Sequence, residues 1–120
     1  MPKVLVISEG SLPLLDLTEK LKPNNWDLIT LNQKQNLKDI DLIQKADFLL
    51  SFSGKIQDEI LLNAKNIKLI QLCSAGFDGI NRKITNDMNI PIANNGGANS
   101  IPVAEFTMTL ILSRVFCQKF

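Results

Sequence analysis

The sequence contains no histidine and no tyrosine, and the missing imidazole removes the most chemistry. A histidine general base, a histidine metal ligand and a Ser-His-Asp relay are all excluded within this chain. Cysteine is scarce: Cys73 and Cys117 make two, too few for a disulfide framework or, without histidine, for a zinc cage. Cys73 closes an apolar run and reads as a small buried hydrophobe. Net charge is almost absent, since 13 Lys and Arg oppose 12 Asp and Glu to leave +1. That balance excludes the electrostatic footprint of a nucleic-acid binder or an anionic-membrane binder. Long apolar runs are also lacking. The uncharged stretch between Glu105 and Arg114 falls short of the roughly 20 residues that cross a bilayer. Val4 to Ile7 is shorter than the apolar region of about 7–15 residues in a signal peptide. The expectation is a soluble, cytoplasmic protein with no nucleic-acid or membrane partner.

What remains is sufficient for one folded domain over residues 1–120. With 45% hydrophobic residues, a chain of this length buries roughly two-thirds of its unfolded surface. Val4-Leu5-Val6-Ile7 is a continuous apolar run of strand length, as in a strand covered on both faces. Leu12, Leu14, Leu15, Leu17 and Leu21 then fit one face of a helix, which Pro23-Asn24-Asn25 ends. Trp26–Leu31 reads as a second strand. Leu37, Ile40 and Ile43 mark a helix, and Phe48-Leu49-Leu50 a third strand. Ile56, Ile60 and Leu61 give a short helix and Ile67–Leu72 a fourth strand. A brief helix follows over Ile80–Met88, then a fifth strand over Ile90–Ala93, near a sheet edge because of Pro91. The longest helix runs from Ile101 to about Lys119. Such alternation predicts an α/β fold: a doubly wound, flavodoxin-like parallel sheet of five strands in the order 2-1-3-4-5.

Ligands of such sheets gather at the carboxyl ends of the strands, here Ser8–Gly10, Ser51–Gly54, Ser74–Gly79 and Asn94–Ser100. Known tenants of the fold fail there on charge or spacing. A receiver domain needs an acidic cluster, but the chain offers Glu9 alone, then Ser51 and Ser53. Gly54-Lys55-Ile56 lacks the first glycine and the hydroxyl of a P-loop. Gly76-Phe77-Asp78-Gly79 and Gly96-Gly97 both fall short of the G-x-G-x-x-G dinucleotide loop. In a flavodoxin, a phosphate would sit where Glu9 puts a carboxylate.

Two loops carry information. In Ser74-Ala75-Gly76-Phe77-Asp78, a glycine lets consecutive amides converge on an anion such as a carboxylate. The plainer reading is a strand-to-helix turn with Asp78 capping the next helix. Asn94–Ser100 precedes the long helix, with Ser100 as N-cap and Pro102 in the first turn. Helix starts offer free amides and positive dipole. Glu105, a turn further on, serves the dipole or holds a neighbouring loop.

In order and spacing, Ile67 to Asp78, Ile90 to Asn94, and Gly97-Ala98-Asn99-Ser100-Ile101-Pro102-Val103-Ala104-Glu105 resemble the N-terminal part of the D-isomer-specific 2-hydroxyacid dehydrogenases. The resemblance spans the chain and is specific after Ile67. Asn81 departs from the family's usual aspartate and Asn89 from its glycine. The resemblance implies an oxidoreductase substrate domain that works with NAD or NADP on a small 2-oxo or 2-hydroxy acid. It implies that Ser74, Ala75, Gly76 and Phe77 receive the substrate carboxylate and that Asn99 and Ser100 border the cleft. Val103 and Thr107 would lie toward the nicotinamide. The family's arginine, carboxylate and histidine, and its Rossmann coenzyme domain, follow the region matched here. The chain alone is therefore expected to be inert, as a substrate-domain portion cut or encoded short. The alternative is a stand-alone small-molecule-binding or protein-interaction module without redox chemistry.

The last helix adds a physical expectation. Its apolar residues, from Ile101 to Phe116, cover nearly the whole circumference, as in a helix buried on all sides. A domain of this size covers one side, so the other calls for a missing domain or a second copy, predicting a homodimer through this helix.

Overall fold

β1 (Lys3–Ile7), β2 (Asp27–Leu31), β3 (Phe48–Ser51), β4 (Leu69–Leu72) and β5 (Ile92–Ala93) form one parallel sheet in the order β2-β1-β3-β4-β5. The computed structural model describes residues 1–10, 12–32 and 39–117. Leu37, expected on a helix, lies outside them. α1 (Leu12–Leu21), α2 (Ile40–Lys45), α3 (Asp58–Asn63), α4 (Arg82–Asp87) and α5 (Ser100–Cys117) alternate with the strands. The expected strand order is the observed one. Expected β4 and β5 are longer than observed: the chain joins the ladder at Leu69 and, after Pro91 with its missing N–H, at Ile92.

The pairing register sorts the side chains. Leu5 stands beside Ile29 and Leu49, Leu49 beside Ile70, and Ile70 beside Ile92. Because side chains alternate along a strand, these residues share one face with Ile7, Leu31 and Leu72. α2, α3 and α4 cover that face with Ile43, Ala46, Ile60, Leu61 and Ala64, and the strand residues among them are buried or packed against the same core. Each large aliphatic side chain buried there contributes about 1.5–3 kcal/mol. Asn81 starts α4, its side chain accepting from Ile84 N at 3.5 Å and donating to Asp58 at 2.9 Å. Asp78, expected as the cap, lies three residues too early.

The opposite face carries Val4, Leu28, Phe48 and Leu69 in one row, with Val6, Leu50 and Gln71 in the next. Right-handed crossovers place α1 alone on this side. Val4 and Val6 are buried, but Phe48, Leu50 and Leu69 are only partly so. Between α1 and the strands lies an open groove of about 510 Å³, lined by Leu14, Leu17, Leu21, Trp26, Phe48, Leu50, Leu69 and Cys73 among others. The ring of Trp26 stacks on Phe48 at 5.4 Å. No residue of α1 is buried, and its expected inner leucines show their consequence: Leu17 is 50% exposed and Leu12 75%.

Cys73 corrects an expectation. β4 ends at Leu72, so the cysteine falls on the open-groove side and is exposed, not buried. Loss of water on the sheet side still raises its pKa, which keeps it from being a reactive thiolate. α5 is the larger correction. One side of it was expected against its own domain, yet no α5 residue is buried. The helix projects from the body and stretches the molecule to 61 Å.

Candidate functional site

The segments leaving β3 and β4 meet through backbone contacts that two glycines permit. Lys55 pairs with Gly79 in an isolated parallel bridge, and Ile56 N donates to Gly79 O at 3.1 Å. At Gly79 a Cβ would stand 2.5 Å from Lys55 Cγ and 2.8 Å from Gly54 O. At Gly54, where φ is +68°, a Cβ would meet Ser74 Oγ at 2.2 Å and Gly76 O at 2.7 Å. Only glycine fits such an approach at positive φ. Gly76, which looked in the sequence like the turning residue, has no positive φ and open space where its Cβ would be. The tight geometry expected of Gly76 belongs to Gly54 across the groove between the loops.

Ser74, Ala75, Gly76 and Phe77 form the loop leaving β4. Ser74 Oγ donates to Gly76 O at 2.9 Å, and Phe77 O accepts from Ile80 N at 3.2 Å. Among the described residues, nothing accepts from the backbone N–H of Ala75, Gly76 or Phe77. Ala75, Gly76 and Phe77 are exposed. Free amides in succession on a turn are an anion-receiving surface. Arg82 strengthens it: its guanidinium lies 5.3 Å from the centroid of the Phe77 ring, a cation–π contact that places positive charge beside the loop. The two residues share a polar pocket of about 340 Å³ with Thr85, Asn86, Pro91 and Asn94.

The loop after β5 is tied to this one. Asn94 Nδ2 donates to Ala75 O at 2.8 Å, Asn95 N to Ser74 O at 3.0 Å, and Asn95 Nδ2 to Cys73 O at 3.4 Å. Both asparagines escaped the sequence reading, which saw them as turn formers. Asn99 and Ser100 follow at the start of α5. Asn99 O accepts from Val103 N at 3.1 Å, while Ser100 N and Oγ both donate to Gly97 O, at 3.2 and 2.9 Å. Ser100 is therefore the first helical residue and not the expected side-chain cap. The positive φ of Gly97, +82°, makes the turn that Ser100 closes. Val103 and Thr107 lie one turn apart on α5, with Thr107 Oγ1 donating to Val103 O at 2.7 Å. They sit on the projecting helix, not within the loop cluster. Glu105 lies beyond the first turn of α5, where the dipole has fallen off, and it is exposed and forms no ion pair among the described residues.

The structure thus brings Ser74–Phe77 together with Asn94 and Asn95, and places Asn99 and Ser100 at the exit of the second loop. Among the described residues no cluster of side chains suits a metal ion.

Comparison with known proteins gives consistent results. The profile of the family described as D-isomer specific 2-hydroxyacid dehydrogenase, catalytic domain, matches residues 4–114. A protein of Staphylococcus epidermidis assigned as a 2-hydroxyacid dehydrogenase is 31% identical over 117 residues, which is 94% of this chain and 36% of the relative. Among solved structures, the NAD+-bound 3-phosphoglycerate dehydrogenase of Entamoeba histolytica is 26% identical with a TM-score of 0.70, over 92% of this chain and 38% of that one. A Pyrococcus horikoshii protein is 27% identical with a TM-score of 0.70, over 100% of this chain and 36% of that one. The chain spans a little over a third of each of these proteins.

Proposed function

The chain belongs to the D-isomer specific 2-hydroxyacid dehydrogenases, and from that membership we propose that it is the substrate-receiving part of an oxidoreductase that interconverts 2-oxo acids and D-2-hydroxy acids with NAD or NADP. The observation that carries this reading is the run of free, exposed amides at Ala75, Gly76 and Phe77. Three such donors, backed by Arg82 on the Phe77 ring, suit a carboxylate without desolvating a side-chain cation. Asn94 and Asn95 hold the loop in that shape from the β5 side. Asn99 and Ser100 border the same cleft in this reading.

The residues present fit part of a nicotinamide cofactor. Val103 and Thr107 offer a small, largely apolar wall on α5. No glycine-rich turn opens a helix in the manner a pyrophosphate requires, so the chain holds no complete cofactor site. When bound, the cofactor supplies the hydride. The residues here bind and orient the acid, and with no histidine in the chain none of them supplies an imidazole to move the proton. In this proposal the chain alone is inert, resides in the cytoplasm, and pairs with a second copy along α5. The absence of histidine favours a second reading, in which the same amides hold a carboxylate with no redox step.

Titrating the 15N-labelled chain with glyoxylate, pyruvate or hydroxypyruvate tests the reading. Amide shifts centred on Ala75, Gly76 and Phe77 are expected, half-saturating near about 1 mM, an affinity of roughly −4 kcal/mol. NADH oxidation with the same acids is expected to stay at background. Shifts spread over the surface, or none in this loop, would remove the carboxylate site. Turnover would show that the proton route lies in residues assigned here no catalytic part.

A further inference from the structure

Asparagine is among the chemically labile side chains, and Asn95-Gly96 is the chain's single Asn-Gly pair. Asn95 touches the anion-receiving loop twice, through its N–H to Ser74 O at 3.0 Å and its Nδ2 to Cys73 O at 3.4 Å. We propose that Asn95 is a self-modification site: Gly96 N displaces its side-chain amide, and the carboxylate that results shuts the neighbouring loop to acids. The modification stands on its own, whereas its consequence rests on the carboxylate-binding reading of Ala75, Gly76 and Phe77.

The reaction needs an asparagine whose following backbone nitrogen is unhindered and unengaged. Gly96 meets both conditions. With no Cβ it leaves a clear approach to the Asn95 side chain, and among the described residues nothing accepts from its N–H. Asn95 and Gly96 are exposed, so water reaches the pair, and the segment from Asn94 to Asn99 lies in neither a helix nor a strand. Gly97, at φ +82°, turns the chain directly afterwards. The nitrogens that follow Asn89, Asn94 and Asn99 are instead engaged, donating to Thr85 O, Ser74 O and Gly97 O.

The steps balance without an oxidant or a cofactor. Gly96 N bonds to Asn95 Cγ, the Cγ–Nδ2 bond breaks, and ammonia leaves with the proton that Gly96 N gives up. One water molecule then opens the five-membered imide at either carbonyl. The products are aspartate and its isomer, in which the backbone runs through the side-chain carbon. Both alter the loop. Where Nδ2 donates to Cys73 O, a carboxylate turns oxygen toward oxygen and sets a negative charge beside the amides that receive an anion. The isomer also adds a methylene to the backbone between the Ser74 contact and the Gly97 turn. Formal charge falls from +1 to zero, so ion exchange separates the converted chain.

The test ages the intact chain in mildly alkaline buffer beside a synthetic peptide of residues 91–99, with peptide mass mapping and 15N spectra taken on the same samples. Asn95 is expected to convert ahead of every other asparagine, and the amides of Ser74 to Phe77 to shift with no acid added. Gly96→Ala places a Cβ no nearer than 3.5 Å to the Asn94 side chain. It is expected to fold, to keep its loop spectrum and to convert about tenfold more slowly. Asn95→Asp, made directly, is expected to raise the half-saturating glyoxylate concentration about tenfold over the fresh parent, through like-charge repulsion at a screened surface. Persistence of Asn95 while the peptide converts overturns the proposal, because the fold then guards the pair. So does conversion that leaves the Ser74–Phe77 amides and the glyoxylate titration unmoved. A fresh parent that binds no glyoxylate sinks the carboxylate reading and the closing of the loop with it, whereas conversion at Asn95 in that same sample upholds the modification.

Discussion

At Gly54 the backbone turns to φ +68° with Ser74 and Gly76 O where a side chain would begin. Gly54→Ala is expected to destabilise the protein by about 1–3 kcal/mol from backbone strain, with steric displacement of the Ser74 loop added to it. Its carboxylate-induced amide shifts should weaken as well. Gly76→Ala has the opposite profile, since nothing lies within 4 Å of its Cβ position and its φ is not positive. Its stability should stay within about 0.5 kcal/mol of the parent, while the new methyl stands among the free amides and weakens acid binding. Urea melts and the NMR titration together check the pair. Equal melts for both variants would show that the loops do not meet at Gly54. The sequence reading chose Gly76 because a glycine inside Ser-Ala-Gly-Phe-Asp invites it. The constraint on Gly54 comes from a loop about twenty residues away, which no local pattern reveals. Cys73 is exposed for a related reason: an apolar run does not say at which residue its strand leaves the ladder, and β4 ends at Leu72.

Elements were more legible than residues. β-branched and leucine runs alternating with 3.6-residue patterns were enough for five strands, their order and the helices between them. Helix starts were not legible, because Asp78 and Asn81 are both good caps and the choice depends on where the Gly79 bridge to Lys55 releases the chain. Asp47 was also invisible in the sequence, being one charged residue before a strand. Its carboxylate accepts from Lys3 N and Lys68 Nζ, each at 3.0 Å, while its own N–H donates to Lys3 O and its C=O accepts from Lys68 N, each at 2.8 Å. It thus ties the starts of β1, β3 and β4. The Lys3 amide first, and the Lys68 ammonium second, hold its carboxyl below the usual range. The folded state therefore binds this proton more weakly than the unfolded chain does. Its stabilisation is present above the ordinary aspartate pKa and is lost as pH falls through the lowered one. Chemical denaturation from about pH 6 to pH 3 should show the parent losing stability faster than Asp47→Asn. Parallel acid limbs would mean the clamp contributes nothing.

At the scale of the whole molecule, the sequence said that α5 is apolar all round but not that its own domain would leave it bare. That fact depends on the direction in which the Asn94–Asn99 loop releases it, set by hydrogen bonds to a loop nineteen to twenty-two residues earlier. The radius of gyration, 18.0 Å, exceeds the value of about 14 Å for a compact chain of this length, and α5 accounts for the excess. Because no α5 residue is buried, the helix gives nothing to the core on which the single subunit depends. A chain ending at Asn99 should therefore fold and, in dilute solution, melt within a few degrees of the parent, a shift of about 4–8 °C being what 1 kcal/mol produces in a domain of 60–100 residues. At high concentration the two should separate. The parent's melting temperature rises as association favours the folded state, and the shortened chain's does not, since ligand or partner binding stabilises only the form that binds. Scattering on dilute samples should show the shortened chain at about 13 Å. If shortening unfolds the dilute protein, α5 packs on its own sheet in solution, and the exposed position of the helix would be wrong.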